Sequence, residues 1–267
     1  MNLPADWLRP QWPAPARVHA LFATRAGGVS AGPWASLNLG AETGDAPEHV
    51  RANRARLAAA LGGARPVFLR QVHGAQVIEL GPDSPDGARA DGAVTHGAGV
   101  ACTVLVADCL PVLLAHPQAG VVAAAHAGWR GLAAGVLERT FENFWALARS
   151  RQGAEATAMA AGETLAWLGP AIGPRRFEVG AEVRAAFLAD DAGAAACFDA
   201  LAGGKFLADL PALARRRLAR VGVTRVYGND GGNAWCTVSD AARFHSYRRD
   251  QAALGGSGRM AACIWLA

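Results

Sequence analysis

The stretch from Cys102 to Gly131, CTVLVADCLPVLLAHPQAGVVAAAHAGWRG, constrains the fold more than any other part of the chain. It holds three apolar runs, at Cys102–Ala107, Pro111–Ala115 and Val121–Ala125. The segment His116-Pro117-Gln118-Ala119-Gly120 separates the second run from the third and is a hairpin signal. A turn near Gln118 sets Cys109 almost opposite His126. Directly opposed residues lie about 4.5–5.5 Å apart, so one thiol and one imidazole could share a ligand. A single bulge would shift that register, and Pro111 favours a bulge or an edge position.

The chain is 267 residues long, with neither an internal repeat nor a linker that would cut it, and is read as a single domain, 1–267. Its 52% hydrophobic content with modest charge belongs to a globular protein that can bury a sizeable core. No apolar run approaches the roughly 18–20 residues that span a bilayer. The start, MNLPADWLRPQWPAP, lacks a basic segment followed by a continuous apolar one, so a cytoplasmic location without a membrane partner is expected. The net charge is +4 and Lys205 is the only lysine. The densest basic cluster, Arg215-Arg216-Arg217 with Arg220, reads as a solvated helix face. A basic stripe with interleaved aromatics is missing, so no nucleic-acid partner is expected. Five cysteines, an odd number without a CxxC pair, argue against a disulfide framework.

Strands are expected at Val18–Thr24, Val67–His73, Gln76–Leu80, Asp91–Thr95, Leu165–Leu168, Thr224–Tyr227 and Met260–Leu266, beside the hairpin. Helices are expected at Pro47–Leu61, with Asp45 as N-cap and Gly62 as stop, and at Leu132–Ser150, Ala181–Ala189 and Leu207–Val221. Phe244–Arg249 reads as extended or turn, and residues 151–163 as a helix continuation or a loop insertion. This irregular mixture predicts an α+β or mixed α/β layered fold, not a doubly wound parallel sheet.

Of seven histidines, His73 in QVHG and His126 in AAHAGWRG stand out. Each is read as ending a strand with a glycine one or two residues on, where the backbone leaves the sheet and side chains can converge on a pocket. With Cys109 they make a candidate His, Cys, His metal set, and three such ligands with one open position describe a catalytic zinc site. The same residues also suit Cys109 as nucleophile with His126 as base. A buried thiol beside two hydrogen-bonded turn histidines is the third alternative.

The chain resembles, almost end to end, the family described variously as multicopper polyphenol oxidoreductase (laccase-like), purine nucleoside phosphorylase and peptidoglycan editing factor. The resemblance is carried by TRAGGVS at Thr24–Ser30, SLNLG at Ser36–Gly40, QVHG at Gln71–Gly74, ADG at Ala90–Gly92 and ADCLPVLL at Ala107–Leu114. HAGWRG at His126–Gly131, GPAIGPRRFEVG at Gly169–Gly180, and Cys236-Thr237 followed by SYRRD at Ser246–Asp250 complete it. One departure is Phe244-His245, where the family often has paired aromatics. The resemblance implies His73, Cys109 and His126 as metal ligands. It also implies a layered α/β/β/α-type sandwich with mixed sheets, related to a group of cysteine hydrolases.

A multicopper site needs many histidines, commonly in close pairs, and no His-x-His pair occurs here. One site of this kind would hold one ion, zinc foremost and copper second. The resemblance then implies phosphorolysis of adenosine, inosine and methylthioadenosine to base and ribose 1-phosphate, with adenosine deamination beside it. Its partners would be small molecules, nucleoside and phosphate, and the chain a monomer or homodimer. Arg25, Arg130 and Arg248 are candidate phosphate donors, Asn38 a candidate contact to base or ribose, and Asp108 a candidate catalytic carboxylate beside Cys109 and His126. The alternatives are a peptidoglycan editing hydrolase that removes L-Ser from UDP-MurNAc-L-Ser, a copper-dependent polyphenol oxidase, and a non-catalytic metal-binding module.

Overall fold

A computed structural model of the chain describes residues 4–152 and 161–267. Its strands are β1 (Val18–Ala23), β2 (Arg65–Phe68), β3 (Val77–Glu79), β4 (Gly92–Thr95), β5 (Val100–Val106), β6 (Leu110–Ala115) and β7 (Val122–Ala127). They continue with β8 (Leu165–Leu168), β9 (Glu178–Val179), β10 (Phe198–Ala200), β11 (Phe206–Ala208), β12 (Arg225–Gly228) and β13 (Met260–Leu266). The α-helices are α1 (Pro47–Ala60), α2 (Trp129–Ala133), α3 (Val136–Gln152), α4 (Ala181–Leu188), α5 (Leu210–Arg220) and α6 (Tyr247–Leu254).

Two mixed sheets form, in the orders β1-β13-β5-β2 and β12-β8-β6-β7-β4-β3, with a small sheet β10-β11-β9 beside them. Strand β6 shows why they stack. It buries every residue, so its sequence is continuously apolar and not alternating. Successive side chains still point to opposite faces. Leu113 and Ala115 meet Phe22, Val104 and Ile264 of the first sheet, together with Ala124 and Trp167 of their own. Leu110, Val112 and Leu114 turn the other way, under Phe144 and Ala148 of α3 and Leu213 and Leu218 of α5. On the far side of the first sheet, Leu57 of α1 packs on Leu21, Ala101 and Cys263. The result is the expected α/β/β/α layering.

Several local expectations need correction. The hairpin pairs Pro111 with His126 and Leu110 with Ala127, which carries Cys109 past His126 to the level of Gly128. The turn is centred between Gln118 and Ala119, half a residue beyond Gln118, with Gly120 at φ 60°. Strand β2 ends at Phe68, so His73 lies five residues beyond it in a turn, whereas His126 does stand at a strand end, next to the last residue of β7. The long helix after HAGWRG breaks at Gly135, φ 88°, into α2 and α3. The helix expected from Leu207 starts at Leu210, where the Asp209 side chain accepts from the Ala212 N–H, and Phe206–Ala208 is a strand instead. Tyr247–Leu254 is helical, not extended, with the Ser246 hydroxyl accepting from the Arg249 N–H. Helix α1 is capped by Ala46 with no side-chain bond, while the Asp45 carboxylate accepts from the Ala46 N–H at 2.8 Å.

The arginine cluster is a solvated face only in part: Arg220 is exposed and Arg216 partly so, but Arg217 is buried. Arg217 is 5% exposed and joins Glu138 of α3 (3.1 Å), Asp190 (2.6 Å) and the Ala133 carbonyl (3.2 Å). Arg216 forks onto Asp191, and Arg215 donates to the Val226 and Asn229 carbonyls. Carboxylates far away in sequence neutralise a run that reads as uniformly basic. Residues 153–160, within the stretch read as helix continuation or loop, lie outside the described residues. No described helix is long and apolar enough to cross a membrane.

Candidate metal centre

Three segments deliver the three side chains. His73 comes from the turn after β2, Cys109 from the residue preceding β6, and His126 from within β7. Their ligand atoms all lie within 4.8 Å of one another, with the His73 Nε2 3.7 Å from the Cys109 Sγ. The two imidazoles stand edge to face, 4.8 Å between centroids. His126 is buried, Cys109 half-buried and His73 exposed, so the group opens on the His73 side.

The backbone around it is unusual in a useful way. His73 and Asp108 are the non-glycine residues of the described chain with positive φ, 59° and 87°. That region is uncommon for residues with a Cβ and clusters at functional sites. Gly128 faces the group: a Cβ there would lie 2.8 Å from His73 Cδ2 and 2.9 Å from the Cys109 Sγ. Only glycine lets β7 run into α2 without pushing His73 and Cys109 aside.

The electrostatics favour a thiolate. Burial pushes the Cys109 thiol up, but the charge and hydrogen bond of His126, and His73 after it, bring it down to about 6. Burial pushes His126 down, but Cys109 and Asp91 more than offset it. Without metal the two form a thiolate–imidazolium pair, and an ion would displace the imidazolium proton. The donor set of two imidazoles and one thiolate fits zinc or copper.

The structure distributes the other candidates unevenly. Asp108 adjoins Cys109, but its carboxylate accepts the Thr237 hydroxyl (2.6 Å) and the Arg248 N–H (2.6 Å), tying α6 to the site. Asn38 is wholly buried; its amide donates to Thr43 and Asp45, and its oxygen accepts from Gly40 and Arg259 N–H groups. These internal bonds occupy the groups proposed to touch base or ribose. Arg25 spends its guanidinium on the Ala35 and Ala241 carbonyls, and Arg248 forks onto the Glu178 carbonyl. Arg130 is exposed in α2, 4.3 Å over the Trp129 ring.

Sequence reasoning passed over Asp91 and Arg259. Asp91 is fully buried, and its carboxylate reaches both histidine segments, the His126 Nδ1 at 2.8 Å. The signal was the ADG motif before an apolar run, a carboxylate where a strand should bury only apolar atoms. Burial lowers the Arg259 guanidinium, while the charges of Cys109 and then Asp108 pull it back up, so this cation sits within their field.

A family model described as multi-copper polyphenol oxidoreductase laccase matches residues 19–267. A protein of Escherichia coli (strain K12) named purine nucleoside phosphorylase YfiH is 50% identical over 258 residues, 96% of this chain and 97% of its own. A Haemophilus influenzae purine nucleoside phosphorylase is 41% identical over 261 residues, 97% of this chain and 98% of its own. The solved structure of a Neisseria meningitidis protein superposes with a TM-score of 0.84 at 45% identity, covering 98% of this chain and 99% of that one. YlmD from Geobacillus stearothermophilus gives 0.82 at 32% identity, covering 100% and 98%.

Proposed function

Because the chain belongs to the multi-copper polyphenol oxidoreductase laccase family, whose members of similar sequence include proteins named purine nucleoside phosphorylase, we propose that it is a metal-dependent purine nucleoside phosphorylase. The observation that carries this reading is the convergence of His73, Cys109 and His126 on one point, open on one side. The described residues hold one such group, which suits one ion and not a copper cluster. Zinc is the metal proposed, and when bound it would supply a Lewis acid.

The chain's own groups do the rest. Phosphorolysis breaks the bond from the ribose anomeric carbon to the base and joins that carbon to a phosphate oxygen. The phosphate needs a cation, and Arg130, Arg248 and Arg259 are the candidates whose guanidinium groups are not wholly spent on backbone carbonyls. Arg25, which donates from all three guanidinium nitrogens, serves instead to hold the segments around Ala35 and Ala241. Adenosine, inosine and methylthioadenosine are the proposed substrates, with adenosine deamination as a side activity of the same centre.

The test is incubation of the purified protein with adenosine, with and without phosphate, resolving adenine from inosine by chromatography. Adenine and ribose 1-phosphate should form only with phosphate, and Cys109→Ala should lower the rate at least 100-fold. Untouched adenosine together with cleavage of UDP-MurNAc-L-Ser would replace this reading with the editing hydrolase. Untouched adenosine together with copper-dependent phenol oxidation would replace it with the oxidase.

A further inference from the structure

We propose that Asp91 is the positioning residue of this centre, a single carboxylate that fixes both histidine ligands at once. The proposal rests on the reading of His73, Cys109 and His126 as the metal ligands.

Four donors converge on the Asp91 carboxylate. Oδ2 accepts the N–H of Val72 at 3.1 Å and of Gly74 at 2.8 Å. Oδ1 accepts the N–H of His73 at 2.9 Å and faces the His126 Nδ1 at 2.8 Å. An ionised carboxylate accepts only and offers about four lone-pair sites, so donors and acceptors match one for one. One oxygen thus joins the backbone of one ligand to the ring of the other, and the two cannot shift independently.

Each bond has a separate consequence. Three successive N–H groups closing on one anion form a nest, which offsets the strain of His73 at φ 59°. The bond from His126 Nδ1–H leaves Nε2 as that residue's ligand atom and stops the ring from rotating. Asp91 is itself tied into the fold. It is 0% exposed, its carbonyl accepts from the His126 N–H at 2.7 Å, and its own N–H donates to the Gln76 carbonyl at 2.9 Å. The next pair along, Gly92 with Ala125, belongs to the β4–β7 ladder, so the carboxylate is anchored to the strand that carries His126. Asparagine in its place would keep one acceptor oxygen and turn an amide N–H toward the remaining donors, leaving at least one of the four opposed.

The experiment compares wild type, Asp91→Asn and Cys109→Ala. Zinc affinity is measured by competition with a chromophoric chelator, and the His126 ring is read from nitrogen-15 spectra of the zinc-loaded wild type. Asp91→Asn should bind zinc 10- to 100-fold more weakly than wild type, with the metal-free melting temperatures of the two within a few degrees. The zinc-loaded wild type should show a sharp, slowly exchanging His126 Nδ1–H signal. This second measurement needs no variant, so it decides the matter even where Asp91→Asn does not fold. Wild-type affinity in a folded Asp91→Asn overturns the proposal, and so does an Nδ1–H that exchanges freely with water. Undiminished zinc binding by Cys109→Ala overturns the underlying ligand reading instead, which separates the two failures.

Discussion

His245 is wholly buried, and its ring nitrogens find no well-formed hydrogen bond among the described residues, only the approach of the Leu37 backbone. Its ring lies against the Gly258 backbone, where a Cβ would come within 2.5 Å of Nε2. Burial, then the charge of Arg25, pushes it down to about 3. An imidazole that stays neutral in the folded state but protonates in the unfolded chain destabilises the fold as pH falls below about 6.5. Between pH 6.5 and 4.5 the loss from this residue should be about 2–3 kcal/mol, at the usual 1.4 kcal/mol per pH unit. Urea denaturation at both pH values measures it, and His245→Leu should flatten the dependence by that amount. Cys109 behaves oppositely: its thiol is lowered to about 6, so the metal-free protein should alkylate with iodoacetamide at a rate that half-rises near pH 6. An ordinary thiol would half-rise near pH 8.5. A profile centred there instead would show that His126 does not hold the thiolate.

At the scale of elements, α5 is fastened by charge as well as by its apolar face. Arg217 reaches Glu138 on α3, Asp190 after α4 and the carbonyl that ends α2. Only Arg217 is buried in this group, and Asp190 keeps solvent and Arg220 when it goes, so Arg217→Met should lower the midpoint of equilibrium unfolding without the full penalty of a stranded buried charge. Arg217→Lys should cost less but not nothing, because a single ammonium cannot make the forked contacts. Periodicity found α1, α3 and α4 because their apolar spacing is local. It started α5 three residues early and missed α6. The Asp209 and Ser246 caps that start them look the same, in sequence, as loop residues. Strand β2 was drawn too long because Leu69 is apolar and buried yet unpaired. Hairpin register was misjudged for a related reason: Val121 is apolar like its neighbours, and hydrophobicity alone does not say which residue of the run first pairs.

The whole molecule depends on the space between its two large sheets. Trp167 of β8, 1% exposed, fills it with its ring centroid 6.5 Å from Phe22 of the first sheet and 6.1 Å from Trp235. Truncating such a side chain removes transfer energy and leaves a cavity, so Trp167→Ala should cost about 3–5 kcal/mol. Because both sheets share that layer, far-UV circular dichroism and tryptophan fluorescence should shift together; separated transitions would mean that the sheets unfold independently. By itself the sequence determined the layered class of the fold and the buried hairpin, since residue type and pattern are local properties; it offered His73, Cys109 and His126 as one candidate set among alternatives, and as metal ligands only through the family resemblance. The tertiary structure alone decided that these three meet, that Asp91 joins the two histidines, and that Arg25 and Asn38 are spent internally. Those facts depend on hydrogen bonds between segments far apart in the chain, and a donor's partner is fixed only once folding has chosen which segments become neighbours.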